Sequence, residues 1–413
     1  MIHLNNTSYK KPELVAPAGD VEKLKTAIEY GADAVYVGGE GFNLRMGATN
    51  LTIEEIKAST AWVHERDKKI YVALNIFARN YHIKGIRSYV KKLAEIPVNA
   101  VIVSDPGIFL TVREIAPHIP IHLSTQANTT NAKSIEFWHQ QGMKRAVLAR
   151  ELTLGEIKEI TNNAPIETEV FVHGAMCMSY SGRCLLSSFM SNRHANLGDC
   201  SNSCRWQYIL KEEKRPDETY PIVEDESGTF ILSSKDLCMI QHIPELVHAG
   251  VSAWKIEGRM KSPYYVAAVT RVYREALDRY FADPVGYVYD QRWLSELEKV
   301  SHREYGTGFF FGNQGYNSQT THPGNSYIKE YDYLGMINNV LSDGAAEVLA
   351  KNRFLNNTPV EIIGMRLTED FSQVLLDLRN EHNEPIEAAH AGQKVIVKVS
   401  RPVHKYFMLR KCG

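Results

Sequence analysis

Four of the six cysteines fall between positions 177 and 204, in the runs Phe171-Val-His173-Gly174-Ala-Met-Cys177, Gly182-Arg183-Cys184-Leu-Leu-Ser187 and Gly198-Asp-Cys200-Ser-Asn-Ser-Cys204-Arg205-Trp206. Thiolates are soft ligands that suit iron–sulfur clusters or zinc. The intervals of six, fifteen and three intervening residues are irregular, whereas structural zinc ribbons favour two CxxC knuckles. A looped set of four fits a 4Fe–4S cube, whose irons sit at four corners. Cys177, Cys184, Cys200 and Cys204 are therefore the expected ligands, with structural zinc as the alternative. A cluster bearing four thiolates is strongly negative, and Arg183 and Arg205, each beside a cysteine, would offset that charge. Cys238, in the apolar run Leu237-Cys238-Met239-Ile240, reads as a small core residue and as the first substitute should one of the four not ligate. Cys412, next to last, reads as an inert thiol at a mobile terminus.

Such residues need a scaffold. The first half of the chain repeats a short apolar run, a polar turn and an amphipathic helical pattern. The predicted strands are Glu13–Ala18, Ala34–Gly38, Ile70–Ile76, Ala100–Ser104, Ile121–Gln126, Ala146–Arg150, Glu167–Val172 and Ala253–Glu257. Helical spacing lies between most of them, as in Val21–Tyr30, Ile53–Arg66, Tyr81–Leu93 and Leu154–Thr161. Alternation of this kind predicts parallel strands with crossover helices, and eight apolar runs match a closed TIM-like (β/α) barrel better than an open doubly wound sheet. The cysteine-bearing stretch, about 175–232, interrupts the rhythm after the seventh strand, at the end where barrels carry their chemistry. Helices are expected near Pro263–Phe281 and Gln291–Val300, and 312–330 reads as a linker. From 331 to 413 the pattern becomes short alternating runs, which predicts a small C-terminal all-β barrel domain. The expected organisation is thus a catalytic barrel over 1–311, the linker, and this module.

Charge is balanced, 47 Lys plus Arg against 48 Asp plus Glu, so no global positive field advertises a nucleic-acid partner and any such contact must be a local basic patch. The opening Met1-Ile2-His3-Leu4-Asn5-Asn6 lacks a basic stretch followed by an apolar run, and no run of about 18 apolar residues occurs. Neither a signal peptide nor a membrane span is expected. A cytoplasmic, reducing setting follows, in which crowded cysteines point to a metal rather than to disulfides.

If the barrel closes, polar residues just past the strands face its mouth. These are Asn75, Asp105, Gln126, Asn128, Arg150, Glu151, His173, Lys255, Glu257 and Arg259. Charged groups after apolar strands are costly unless paired, and pairing of Arg150 with Glu151 or Glu257, and of Lys255 with Asp236, is the bland account of them.

The run Glu169–Ser187 resembles the signature of the collagenase-like unclassified peptidases, family thirty-two. Leu14-Val-Ala-Pro17-Ala-Gly19, Gly31-Ala-Asp33-Ala-Val-Tyr36, Ser233-Ser-Lys235-Asp236-Leu237 and Lys255-Ile-Glu257-Gly258-Arg259-Met-Lys261-Ser262 extend the likeness over roughly residues 11 to 410. The Gly-Arg-Cys-Leu-Leu-Ser and Cys-Arg-Trp runs and the C-terminal module are most similar to the transfer-RNA branch of that family. The resemblance implies oxygen-independent, iron–sulfur-dependent hydroxylation of the wobble uridine of tRNA to 5-hydroxyuridine, with prephenate as hydroxyl source.

On that reading Arg150, Lys255 and Arg259 would take the two carboxylates of prephenate, because a guanidinium binds a carboxylate bidentately. His173 and Glu257 would move protons at the uracil ring, and Gln126 and Asn75 would contact substrate. Arg205, Trp206, Tyr208, Tyr180, Lys211, Lys214 and Arg215 would hold a splayed anticodon-loop base and its phosphates, unless they merely pack the cluster loop. A peptidase, a different RNA substrate and a non-catalytic zinc-bearing RNA scaffold are the competing functions. There is no HExxH or GxSxG motif, although a Cys177/His173 pair is close in sequence. Oligomeric state stays open between a homodimer and a pairing with a paralogue.

Overall fold

Seven short runs rich in Val, Ile and Ala form parallel strands: β1 Glu13–Pro17, β2 Ala34–Gly38, β3 Lys69–Leu74, β4 Ala100–Val103, β5 Ile121–Leu123, β6 Arg145–Val147 and β7 Glu167–Ala175. The computed structural model describes residues 9–44, 49–177, 179–180, 183–205, 223–225, 228–230, 234–312 and 327–412. Each strand pairs with the next, and Ala253–Ile256 closes the ring by pairing with both β1 and β7. The eight predicted strands therefore form the predicted closed barrel.

The strands are apolar along their length because both faces are buried. One face packs beneath the surrounding helices. The other fills the lumen with Val15, Ala34, Tyr36, Tyr71, Ala100, Ile102 and Ala253. Helices α1 Val21–Glu29, α2 Ile53–His64, α3 Asn80–Leu93, α4 Pro106–Ile115, α5 Ala132–Gln140 and α6 Leu154–Asn163 follow β1 to β6 in turn. Their starts are written locally. Asp20 and Asp105 accept from the first-turn N–H groups of α1 and α4, and Thr52/Glu55 and Thr153/Glu156 form capping boxes on α2 and α6.

Between β7 and the closing strand lie α7 Leu186–Ser191, a short antiparallel pair β8 Val223–Asp225 and β9 Gly228–Phe230, then β10 Asp236–Cys238 and α8 Ile243–His248. The closing strand is β11. Strand β10 runs antiparallel to the outer end of β7, an addition that the helix-and-strand rhythm did not foretell. After β11 come α9 Pro263–Ala282, α10 Gln291–Glu298 and the two-residue β12 Tyr305–Gly306.

The C-terminal module is an antiparallel half-barrel. Its elements are β13 Tyr331–Val340, β14 Ala346–Ala350, β15 Phe354–Leu355, β16 Pro359–Ile363, β17 Phe371–Val374, β18 Arg379–Asn380, β19 Ala388–Ala389, β20 Lys394–Val397 and β21 Met408–Cys412. Seven of them make one sheet in the order β17-β16-β21-β13-β14-β20-β18. Strand β21 lies inside that sheet, with Cys412 opposite Tyr331. The expectation of a loose terminus around Cys412 is thus corrected: its backbone is held by the strand pairing, although its side chain is exposed. Cys238 is buried as expected, and burial pushes its thiol up to about 12.

The two parts are joined by buried charges. Arg410 of β21 grips Glu296 of α10 with both guanidinium arms, at 2.6 and 2.7 Å. Arg271 of α9 reaches the same carboxylate and chelates Asp370 at 2.7 and 2.9 Å.

Candidate active site at the mouth of the barrel

At the C-terminal ends of the strands the lumen opens into a cavity of about 450 Å³, counting its open mouth. Six residues singled out by sequence line it: Asn75, Gln126, Arg150, Lys255, Glu257 and Arg259. Each of its three cations is fixed from outside the cavity. The Arg150 guanidinium lies 3.9 Å from the Phe171 ring centroid, donates to Ala175 O at 3.0 Å and stands 3.8 Å from Glu257 Oε2. Lys255 Nζ donates to Glu169 Oε1 at 2.7 Å and sits 4.4 Å from the Tyr36 ring centroid. Arg259 donates to Asn43 Oδ1 at 3.0 Å and to Asn50 Oδ1.

The pairing of Arg150 with Glu257 was one of the bland alternatives, and it is present. That of Lys255 with Asp236 is not: Asp236 is taken by Arg303 at 2.6 Å. Lys255 instead ends a buried ladder. Lys69 and Tyr71 bond Glu13, Arg145 bridges Glu13 and Glu169, and Glu169 holds Lys255. Burial alone would raise the Glu169 carboxyl, but Lys255 and Arg145 outweigh it and keep the group below the usual carboxylate range.

Opposite the cations is a polar wall. Asn75 donates to Ser124 Oγ at 3.3 Å and to Gln126 Oε1 at 3.2 Å, and the Ser124 hydroxyl also donates to Gln126 Oε1. With its oxygen so engaged, Gln126 offers its N–H pair to a ligand. The Tyr36 hydroxyl donates to Ile256 O at 3.0 Å and stands 3.3 Å from Glu257 Oε2. Tyr36, Ser124, Phe171 and the supporting Glu169, Asn43 and Asn50 were not foreseen. The signal for Tyr36 was available, since a tyrosine amid Ala34-Val-Tyr36-Val-Gly38 must place its hydroxyl somewhere polar.

Two glycines permit this geometry. A Cβ on Gly38 would lie 2.0 Å from an Arg259 guanidinium nitrogen. Gly174 has φ +106°, and its Cβ would meet Glu257 O at 2.4 Å, beside the register shift between Lys255 and Ile256.

His173 does not reach the cavity, which corrects its expected role at the substrate. Strand β7 continues past the rim to pair with β10, and this extension turns the ring into a pocket of Tyr265, Tyr273 and Tyr305. Desolvation there lowers its pKa to about 3, against the opposing charge of Asp236. His173 is therefore neutral, and it supports the site through its backbone, whose carbonyl accepts from Glu257 N at 2.9 Å. Asp105 is spent on capping α4, and Asn128 takes the left-handed conformation that ends the turn Thr125–Ala127. Glu151 does not line the cavity, and its carboxyl is raised by burial.

The cysteines follow the outer end of β7, and two of the segments that carry them are tied together. Cys177 follows β7, Cys184 precedes α7, and Cys200 and Cys204 lie on the segment entering the turn Ser203–Arg205. Ser187 Oγ accepts from Ser201 N at 2.9 Å and lies 3.0 Å from Ser201 Oγ, which in turn bonds Ser203. These hydroxyls hold the Cys184 segment against the Cys200–Cys204 segment. None of the four is in a disulfide; Cys177 and Cys200 are exposed, Cys184 and Cys204 half-buried. Among the described residues no three His, Cys, Asp or Glu side chains are gathered closely enough for one metal ion. The donor set, four thiols not joined in disulfides, is of the type that a cluster requires. Arg183 lies over Phe77, 5.1 Å from its ring centroid. Trp206, Tyr208, Lys211, Lys214 and Arg215 lie outside the described residues, and Arg205 is described only in its backbone.

Against known proteins, residues 19–320 match the model of peptidase family U32, and residues 329–410 match that of the peptidase family U32 C-terminal domain. The chain belongs to peptidase family U32. Among relatives of this U32 chain, tRNA hydroxylation protein P1 of Bacillus subtilis is 41% identical over 97% of this chain and 95% of its own length. tRNA hydroxylation protein P of Escherichia coli is 37% identical over 86% of each. A protein named collagenase, from Porphyromonas gingivalis, is 31% identical over 97% of this chain and 98% of its own length. Among the described residues no histidine or cysteine lines the cavity; its Ser124 hydroxyl is bound to amides and its Thr125 hydroxyl donates to Leu148 O at 3.0 Å. Among the described residues no helix is long and apolar enough to cross a membrane.

Proposed function

We propose that this chain is a tRNA-modifying hydroxylase that forms 5-hydroxyuridine at the wobble uridine, with prephenate as hydroxyl source and a 4Fe–4S cluster on Cys177, Cys184, Cys200 and Cys204. The observation that carries the reading is the full-length similarity to tRNA hydroxylation proteins of a chain whose barrel mouth gathers three fixed cations beside one carboxylate. A bound cluster would supply electron transfer or Lewis acidity at the mouth.

The chain's own residues do the rest. Arg150, Lys255 and Arg259 hold the two carboxylates of prephenate, already oriented by Ala175 O, Glu169, Asn43 and Asn50. Gln126 donates an N–H to a uracil carbonyl, kept in that orientation by Asn75 and Ser124. Glu257, 3.3 Å from the Tyr36 hydroxyl, is placed to accept or return a proton at the ring. Among the described residues no histidine lines the cavity.

The test has two parts. Anaerobic iron and sulfide analysis should give about four irons per chain, lost in Cys204→Ser and kept in Cys238→Ser. Mass spectrometry of tRNA from cells carrying wild type or Arg150→Ala should show 5-hydroxyuridine only with wild type. Zinc without sulfide would refute the cluster. Unmodified tRNA together with gelatin cleavage by the colourless protein would return the peptidase reading.

A further inference from the structure

We infer that the outward face of α3, with Tyr81 at its first turn, is the surface that holds the RNA substrate; the inference rests on the reading that the substrate is tRNA. With 47 basic and 48 acidic residues, an RNA-binding chain must concentrate positive charge locally. It does so on α3. From Ile76 to Ala94 there is no Asp or Glu, while Arg79, Lys84, Arg87, Lys91 and Lys92 fall in that stretch. Packing divides them. Ile86, Tyr89, Val90 and Leu93 face inward and are buried, whereas Arg79, Lys84, Lys91 and Lys92 are exposed. Arg87 is bound by Glu114 at 2.7 and 2.8 Å, but Arg79, Lys84, Lys91 and Lys92 join no ion pair among the described residues. Exposed lysines elsewhere are in part answered by acids, as Lys133 is by Glu136 and Lys398 by Asp377.

Position gives this charge a direction. The helix starts five residues beyond Asn75, so its N-terminal end stands at the rim of the cavity and its lysines run away from the mouth. Tyr81, 67% exposed, forms a ring pair with His82, the centroids 4.0 Å apart. An exposed aromatic pair at the rim is a stacking platform for an unpaired base. The cysteine-bearing insertion reaches the same rim, where Phe77 N donates to Asn196 O and the exposed Arg183 lies over Phe77. A loop base stacked on Tyr81 would leave its neighbour to enter the cavity, and the flanking phosphates would follow Arg79, Lys84, Lys91 and Lys92.

The experiment measures binding of an unmodified anticodon stem-loop RNA against salt, for wild type, for the triple variant Lys84→Gln/Lys91→Gln/Lys92→Gln, and for Tyr81→Ala. Three lost phosphate contacts on single-stranded RNA should lower the slope of log K against log salt by about 2, at roughly 0.7 each, and affinity near 0.1 M salt by about a hundredfold. Tyr81→Ala should weaken binding about tenfold with the slope unchanged, the loss of one stacked base. Melting temperatures should not move, because these side chains are exposed. Wild-type slope and affinity in the triple variant would overturn this surface alone. No RNA binding by wild type would overturn the tRNA reading with it.

Discussion

Glu296→Gln should loosen the joint between the barrel and the C-terminal sheet. Glu296 is buried, on α10, and two arginines converge on it: Arg271 of α9 and Arg410 of β21. Burial alone would raise its pKa, but Arg271 and Arg410 outweigh burial and hold it at about 2 instead of 4.5. A carboxyl depressed by that much contributes about 3 kcal/mol to stability at neutral pH. The sign is that of a depressed acid: the contribution is whole above pH 4.5 and lost as pH falls toward 2. The glutamine variant loses the charge and turns an N–H group toward the two guanidinium ions, so a loss of about 3–5 kcal/mol is expected at pH 7. Asp370 still holds Arg271, and Glu361 and Tyr264 still hold Arg410, which keeps the loss from the upper end. Urea unfolding followed by far-UV circular dichroism at pH 7 and pH 4 measures it. The variant should unfold earlier at pH 7, with the C-terminal sheet separating from the barrel transition, and its difference from wild type should shrink as pH falls below 4.5. A difference under about 0.5 kcal/mol at pH 7 would refute the claim that this carboxylate couples the two parts.

Arg150→Lys should lower tRNA hydroxylation tenfold or more, about 1.4 kcal/mol, because lysine cannot span Ala175 O and Glu257 together; near-normal turnover would remove Arg150 from the site. Gly38→Ala forces the Arg259 guanidinium from Asn43 and Asn50, and should raise the KM for prephenate at a stability cost of about 1–3 kcal/mol. An unchanged KM would show that Arg259 does not bind that acid. Wild type should lose stability between pH 6.5 and 5 through His173, whose folded pKa of about 3 lies below its unfolded value. Below 6.5 the unfolded chain takes up a proton that the folded chain refuses, so His173→Gln should flatten the pH dependence by about 2 kcal/mol over that interval; parallel urea midpoints for the two proteins would contradict its neutral burial.

The barrel was legible because strands buried on both faces are apolar on both faces, and eight such runs separated by capped helices leave few topologies. The mouth was legible for a related reason: a charged residue just past an apolar strand, such as Arg150 or Glu257, has only the rim to occupy. Facing within a strand was harder to read. Tyr36 and Phe171 look like core aromatics until the register places them beside Lys255 and Arg150. His173 was misread because β7 outlasts the barrel, and the pairing with β10 that redirects its ring involves a segment sixty residues away with no helical or alternating signal of its own. Strand β21, Met408-Leu-Arg410-Lys-Cys, carries charge at its centre, and Arg410 is buried because Glu296 and Glu361 come to it from other elements.

The same dependence on distant partners explains how the mouth can be both cationic and ordered. Three unsupported cations around one small cavity would repel each other and sample many rotamers, so binding an anion would have to overcome both costs. Here the ordering is completed on folding. Lys255 is anchored through Glu169 and Arg145 to Glu13 at the opposite end of the lumen, Arg259 by two asparagines from the loops after β2, and Arg150 by the carbonyl of Ala175. The anchors differ in charge. Glu169 balances Lys255 and Glu257 stands 3.8 Å from Arg150, while the Ala175 carbonyl and the two asparagine amides orient Arg150 and Arg259. The cations of the cavity therefore have their positions set by geometry on folding, before any ligand arrives, which is the pre-organisation that recognition of a charged group calls for.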